Sequence, residues 1–124
     1  MSEEKPEKIT IVSTYGGEDP ERATYPFLTG NAALAMEVAA TIVLQGNGVT
    51  AATKGIYEHV HAPGQAPLKQ LVDQFVDLGG TLLVCIPCME ARSITKDQLV
   101  EGAQPVKSAR LVTEILESRG SVTY

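Results

Sequence analysis

The sequence predicts an α/β fold built on a mostly parallel sheet, and three features carry that expectation. Short β-branched runs alternate with longer stretches of helical periodicity, and glycine pairs and prolines punctuate the joints between them. One run, Thr81-Leu82-Leu83-Val84-Cys85, is apolar throughout, as a central strand covered on both faces must be. Five such strands alternating with helices argue for right-handed crossovers and helices on the sheet faces.

Residues 1–8 (Met1-Ser2-Glu3-Glu4-Lys5-Pro6-Glu7-Lys8) read as a flexible charged tail, and residues 9–124 as a single domain. Ile9-Thr10-Ile11-Val12-Ser13 is short and β-branched, and Tyr15-Gly16-Gly17 turns the chain after it, so a buried first strand is expected. Asp19-Pro20-Glu21 opens a helix, with Asp19 as N-cap, Pro20 in the first helical position and an acid in the first turn. That helix should reach about Met36, with a kink or interruption where Pro26 and Thr29-Gly30 fall. Residues 38–44 contain Thr41-Ile42-Val43 and end at Gly46-Asn47-Gly48, which gives a second strand.

A short helical turn over residues 49–54 closes at Gly55, and residues 56–66, with both histidines, read as a loop. Pro67-Leu68 opens a second helix that puts Leu68, Leu71, Val72, Phe75, Val76 and Leu78 on one face, and Gly79-Gly80 ends it. After the apolar third strand, Thr95-Lys96-Asp97-Gln98 matches a capping box for a short helix ending near Gly102. Gln104-Pro105-Val106 forms a short strand. Ser108 is expected to cap a last helix carrying Leu111, Val112, Ile115 and Leu116, stopped by Gly120. Ser121-Val122-Thr123-Tyr124 is then a terminal strand at a sheet edge or in an interface.

The 124 residues suffice for one domain, and 44% hydrophobic against 20% charged residues is an ordinary globular balance. Aromatics make up 5% and Trp is absent, so the core must rest on aliphatic side chains. Fifteen acids against ten bases leave a net charge of −5, a field that repels nucleic acid and an anionic membrane surface alike. The amino-terminal segment lacks the apolar core of a signal peptide. The longest apolar stretch, residues 32–44, is interrupted by Glu37 and too short to span a bilayer. Two cysteines three residues apart make no disulfide scaffold, and the expected setting is the cytoplasm.

The chemistry-bearing segment is Val84-Cys85-Ile86-Pro87-Cys88-Met89-Glu90-Ala91-Arg92, which sets two thiols where a strand ends and a helical turn begins. Reactive groups gather at the carboxyl ends of strands in open α/β sheets. Free N–H groups at the start of the turn would favour a thiolate at Cys85, with Glu90 opposing and Arg92 assisting. Three roles stay open on these residues. The cysteines are small buried hydrophobes, or a dithiol redox couple, or a nucleophile that accepts sulfur as a persulfide.

Three segments bear on the choice: Gly16-Gly17-Glu18-Asp19-Pro20-Glu21-Arg22 after the first strand, Leu44-Gln45-Gly46-Asn47-Gly48-Val49 after the second, and residues 83–94 around the thiols. Together they resemble the DsrE/DsrF/TusD-like sulfur-relay family over nearly the whole chain. Cys85 matches that family's persulfide-carrying cysteine, Cys88 a second cysteine of its YchN-like branch, and Ser93 stands where glycine is common. The resemblance implies a three-layer, flavodoxin-like fold without flavin or other cofactor, and a cytoplasmic homo-oligomer, often a trimer or hexamer.

Other candidates are weaker. His59 and His61 would complete a Cys₂His₂ inventory for zinc or copper, although their spacing matches no zinc finger. Gly16-Gly17 lacks the GxGxxG pattern, and Glu18-Asp19 would repel a phosphate. Ser13, Thr14 and Tyr15 could line a pocket beside Cys85, and Lys54 and Arg92 could steady an anion. The leading expectation is a sulfur carrier that uses Cys85, Cys88 and Arg92 between donor and acceptor proteins. The rivals are an oligomeric small-ligand-binding module and a dithiol redox protein.

Overall fold

The computed structural model describes residues 7–124. Five strands, β1 (Lys8–Ser13), β2 (Ala39–Leu44), β3 (Thr81–Cys85), β4 (Ala103–Val106) and β5 (Gly120–Thr123), form one sheet of order β4-β3-β2-β1-β5. Every neighbouring pair is parallel. Four helices, α1 (Pro20–Ala35), α2 (Leu68–Asp77), α3 (Ile86–Glu90) and α4 (Ser108–Leu116), complete the fold, with 3₁₀ turns over Gly46–Ala52, Tyr57–His59 and Lys96–Gln98. Met1 to Pro6 lie outside the described residues. Glu7 and Lys8, grouped with the tail above, belong to the domain: Lys8 opens β1 and the Glu7 carbonyl accepts the Ala39 N–H.

The strand order dictates the layers. Going from β1 through β2 and β3 to β4 the chain always steps the same way, so right-handed crossovers put their helices on one face. The return from β4 to β5, beyond β1, carries α4 to the opposite face. Alternate residues divide accordingly. Ile11, Ile42, Leu44, Leu82 and Val84 form the core under α1 and α2, where Phe27 and Phe75 meet edge to face with centroids 5.8 Å apart. Thr10, Val12, Thr41, Val43 and Leu83 have the other parity and point to the α4 side. Pro105, which has no N–H for a ladder, is tolerated because β4 is an edge.

Helix α1 begins as expected, with the Asp19 carboxylate accepting the Arg22 N–H at 3.1 Å. It then runs through Pro26 and Gly30 without the expected interruption. Gly30 serves close packing instead: a Cβ there would stand 2.8 Å from Phe75 Cε1 and 3.1 Å from Ile42 Cδ1. The capping box at Thr95 is present but starts only one 3₁₀ turn.

Helix α4 departs most from expectation. Lys107, not Ser108, is its N-cap, and no side chain caps it. Its apolar residues do not form core: Val112, Ile115 and Leu116 are 56%, 41% and 80% exposed, while Glu114 is 4% exposed. Arg110, Glu114 and Ser118, four residues apart, form the stripe that meets the sheet. Thr41 donates to Glu114 Oε1 at 2.8 Å, Lys8 Nζ lies 2.6 Å from the same oxygen, and Arg110 Nε lies 2.7 Å from the other. Thr10 bonds Ser118 at 2.6 Å and the Glu114 carbonyl at 3.2 Å. Burial works to raise the Glu114 carboxyl, but the Lys8, Arg110 and Thr41 hydrogen bonds overcome it and hold its pKa at about 2.

Candidate functional site

The carboxyl ends of β1, β2 and β3 carry three loops that meet above the sheet. Cys85 is the last residue of β3 and the N-cap of α3, and Pro87 occupies the first turn, where its missing N–H costs nothing. One helical turn brings Cys88 back beside Cys85. Both thiols are free and half-buried. The turn closes through Ser93, whose φ of +55° is left-handed. Glycine would occupy this left-handed position without strain.

Neighbouring loops supply polar contacts. The Gly46 N–H, after β2, donates to Cys88 Sγ at 3.2 Å. Asn47 accepts from Arg92 Nε at 3.2 Å, and Arg92 Nη1 donates to the Cys88 carbonyl at 3.0 Å. Glu18, from the loop after β1, accepts the Gly16 N–H at 2.8 Å and the Asn47 amide at 2.6 Å. The loops touch backbone to backbone. A Cβ at Gly48 would fall 2.4 Å from the Ser13 carbonyl oxygen, and one at Gly16 would fall 2.7 Å from that of Asn47. Glu18, weighed in the sequence as a charge that would repel a phosphate, is thus part of the loop scaffold.

The two thiols do not share one environment. Burial pushes the Cys85 thiol up, and the adjoining Cys88 thiol adds to this; the Cys88 backbone and the Arg92 charge pull the other way without prevailing. The anion-favouring junction expected from the sequence is therefore outweighed. Helix α3 has five residues, too few for a large aligned dipole. Beside Cys85, on the α4 side, Val43, Val106, Lys107 and Leu111 line a recess of about 10 Å³, room for about one water-sized group.

The other candidates fall elsewhere. His59 lies in the 3₁₀ turn Tyr57–His59, and His61 Nε2 is 2.6 Å from the Gln65 carbonyl oxygen. Among the described residues, no group of three or more His, Cys, Asp or Glu side chains is gathered to hold a metal ion. Thr14 is engaged with the Tyr124 carbonyl at 2.8 Å, and Tyr15 accepts from Arg22 at 3.1 Å. Among the described residues, no helix is long and apolar enough to cross a membrane. Gly46, Asn47 and Glu18 are the site contacts that sequence reasoning did not assign. Their roles arise from loops brought together by strand order, for which a single sequence carries no periodic signal.

Comparisons with known proteins agree with this fold. The model of the DsrE/DsrF-like family matches residues 7–124. The uncharacterized protein MJ0989 of Methanocaldococcus jannaschii is 30% identical over 118 residues, 94% of this chain and 99% of that one. A second uncharacterized protein of the same organism, MJ0760, is 32% identical over 98 residues, 79% of this chain but 36% of its own length. Among solved structures, the YchN protein of E. coli superposes with a TM-score of 0.80 at 20% identity, covering 95% of this chain and 99% of its own. MTH1491 of Methanobacterium thermoautotrophicum, of unknown function, gives 0.75 at 15% identity with the same coverage. The fold is therefore the three-layer, flavodoxin-like α/β arrangement, and the chain belongs to the DsrE/DsrF-like family.

Proposed function

We propose that the protein is a cytoplasmic sulfur carrier in which Cys85 accepts sulfane sulfur and Cys88 serves as resolving or second thiol. Family membership points to a sulfur-relay role in general. The observation that carries the finer reading is the thiol pair itself: two free, half-buried sulfurs on one turn at the end of β3, with a backbone N–H on Cys88 and Arg92 beside it.

The steps follow ordinary thiol chemistry. The Cys85 thiolate attacks the outer sulfur of a donor persulfide; a new S–S bond forms on Cys85, the donor's S–S bond breaks, and the donor leaves as thiolate. An acceptor thiolate then attacks the outer sulfur and Cys85 departs as thiolate. Alternatively, the Cys88 thiolate attacks the inner sulfur, giving a Cys85–Cys88 disulfide and hydrosulfide, and a dithiol protein must later reduce that disulfide. The recess of about 10 Å³ suits an atom-sized cargo better than a metabolite.

The partners on this reading are a donor and an acceptor protein, with further copies of the chain. The exposed apolar side of α4 (Val112, Ile115 and Leu116) supports a homo-oligomer, which the family resemblance would make a trimer or hexamer. A second reading, the small-ligand module, draws support from an apolar groove of about 370 Å³ at the opposite end of the strands, lined by Ile9, Thr29, Ala32, Ala33, Met36 and Val38. Incubation with inorganic polysulfide followed by intact mass measurement separates the two. A gain of one sulfur that is lost in Cys85→Ser, and kept in a distal control such as His59→Ala, upholds the carrier. No gain in the native chain favours the module.

A further inference from the structure

The hydrogen bonds around the thiol turn converge on one side chain, Asn47. Its amide nitrogen donates to Glu18 Oε1 at 2.6 Å and its amide oxygen accepts from Arg92 Nε at 3.2 Å, so both ends of the amide are committed. Glu18 is itself anchored by the Gly16 N–H at 2.8 Å. Arg92 completes the chain through the Cys88 carbonyl at 3.0 Å, and the residue before Asn47 donates its N–H to Cys88 Sγ at 3.2 Å. A line of bonds thus runs from the loop after β1, through the loop after β2, to the turn after β3.

We propose that Asn47, braced by Glu18, is a positioning residue that holds the Arg92 guanidinium against the Cys85–Cys88 turn and so sets how readily Cys85 ionises. The inference rests on the reading of Cys85 as the reacting thiol. Guanidinium is permanently charged, and it is exposed here, so its influence on a thiol depends on where it is held. Without Asn47, Arg92 keeps only its bond to the Cys88 carbonyl, and the exposed guanidinium is free to turn toward water, where its charge is screened. Asn47 also sorts the charges: its nitrogen end keeps the Glu18 carboxylate on the far side, away from the sulfurs.

The ionisable and charged groups that face Cys85 are few. Cys88 and Arg92 come from its own turn, and Arg92 is the cation that favours the Cys85 anion. Lys107 lines the same recess from the β4–α4 junction, takes no part in the Asn47 bonds, and is unaltered in every variant below. Glu18 reaches the site only through Asn47 and Gly16.

The test is the pH profile of Cys85 alkylation by iodoacetamide, read by peptide mapping so that Cys88 is scored separately. Asn47→Ala should move the profile to higher pH, slowing labelling about threefold at pH 8. Arg92→Ala should do the same, and the double variant should go no further than either alone. Glu18→Ala offers a second route to the displaced guanidinium, and Glu18→Gln, which keeps an oxygen for the Asn47 amide, should stay close to the native profile. An Asn47→Ala profile that overlies the native one, or an effect that adds fully to that of Arg92→Ala, overturns the proposal. Alkylation needs no sulfur donor, so the two readings fail separately. No polysulfide loading of the native chain, with the variant profiles shifted as expected, sinks the carrier alone, and unshifted variant profiles with native loading present sink the positioning role alone.

Discussion

Replacing Glu114 by Gln should destabilise the protein by about 2 kcal/mol at neutral pH, and this deficit should vanish in acid. The native carboxylate is held at about 2, against an ordinary value of 4.5, by Lys8, Arg110 and Thr41. That difference is worth about 3 kcal/mol at 1.36 kcal/mol per unit, and the side chains of Lys8 and Arg110 remain 21% and 41% exposed, so solvent screening brings the expectation down to about 2. Because the folded-state value lies below the unfolded one, the unfolded chain binds the extra proton between pH 4.5 and 2. The stabilisation is complete above pH 4.5 and drains away as the pH falls toward 2. Glutamine preserves the shape and an oxygen for Thr41, so cavity formation does not contribute. Urea unfolding of both chains, followed by circular dichroism at steps from pH 7 to 2.5, reads the difference directly. A gap that persists unchanged at pH 2.5, or no gap at pH 7, refutes the reasoning.

Two further outcomes follow from backbone and surface. Ser93→Gly should raise stability by about 1 kcal/mol, seen as a higher Tm, because a φ of +55° costs a Cβ-bearing residue and not glycine; an unchanged or lower Tm counts against the strain. For the proposed homo-oligomer, Leu116→Glu, at a position 80% exposed, should leave the monomer fold intact by circular dichroism and lower the mass measured by light scattering; an unaltered mass removes α4 from the proposed interface.

The parts of the fold visible in the sequence are those written in local pattern. The five expected strands became β1 to β5, the Asp19-Pro20 start became the α1 cap, and the apolar stripe of α2 was buried through Leu68, Leu71, Val72 and Phe75, although Leu78 at its end is exposed. Helix α4 shows where such pattern stops. Periodicity reported an apolar side but not what covers it, and Thr10 and Thr41 make the sheet beneath α4 polar, so the stripe of Arg110, Glu114 and Ser118 turns inward. That choice depends on Lys8, 106 residues away from Glu114 in sequence, and no local window contains it. The same holds at the thiol turn. Cys85, Cys88 and Arg92 lie within eight residues and announce themselves, whereas Asn47 and Glu18 join them only because β1, β2 and β3 lie side by side.

The environment of Cys85 gives the proposed carrier a definite character. A thiol raised by burial is mostly protonated at neutral pH, so the resting protein is a poor general scavenger of electrophiles. The fraction that does ionise is intrinsically more nucleophilic, since nucleophilicity rises with thiol pKa. The same rule acts in reverse once sulfur is bound. An acceptor attacking the outer sulfur must expel Cys85 as thiolate, and a high-pKa thiolate leaves slowly, so the cargo is retained until the leaving sulfur is stabilised. The groups able to do so are those already in place: the Cys88 backbone N–H and the Arg92 guanidinium on its line of bonds to Asn47 and Glu18. For the proposed carrier, retention and release are thus set by the balance between burial by β3 and α4 and the local charge of the turn after β3, which the loops after β1 and β2 hold in place.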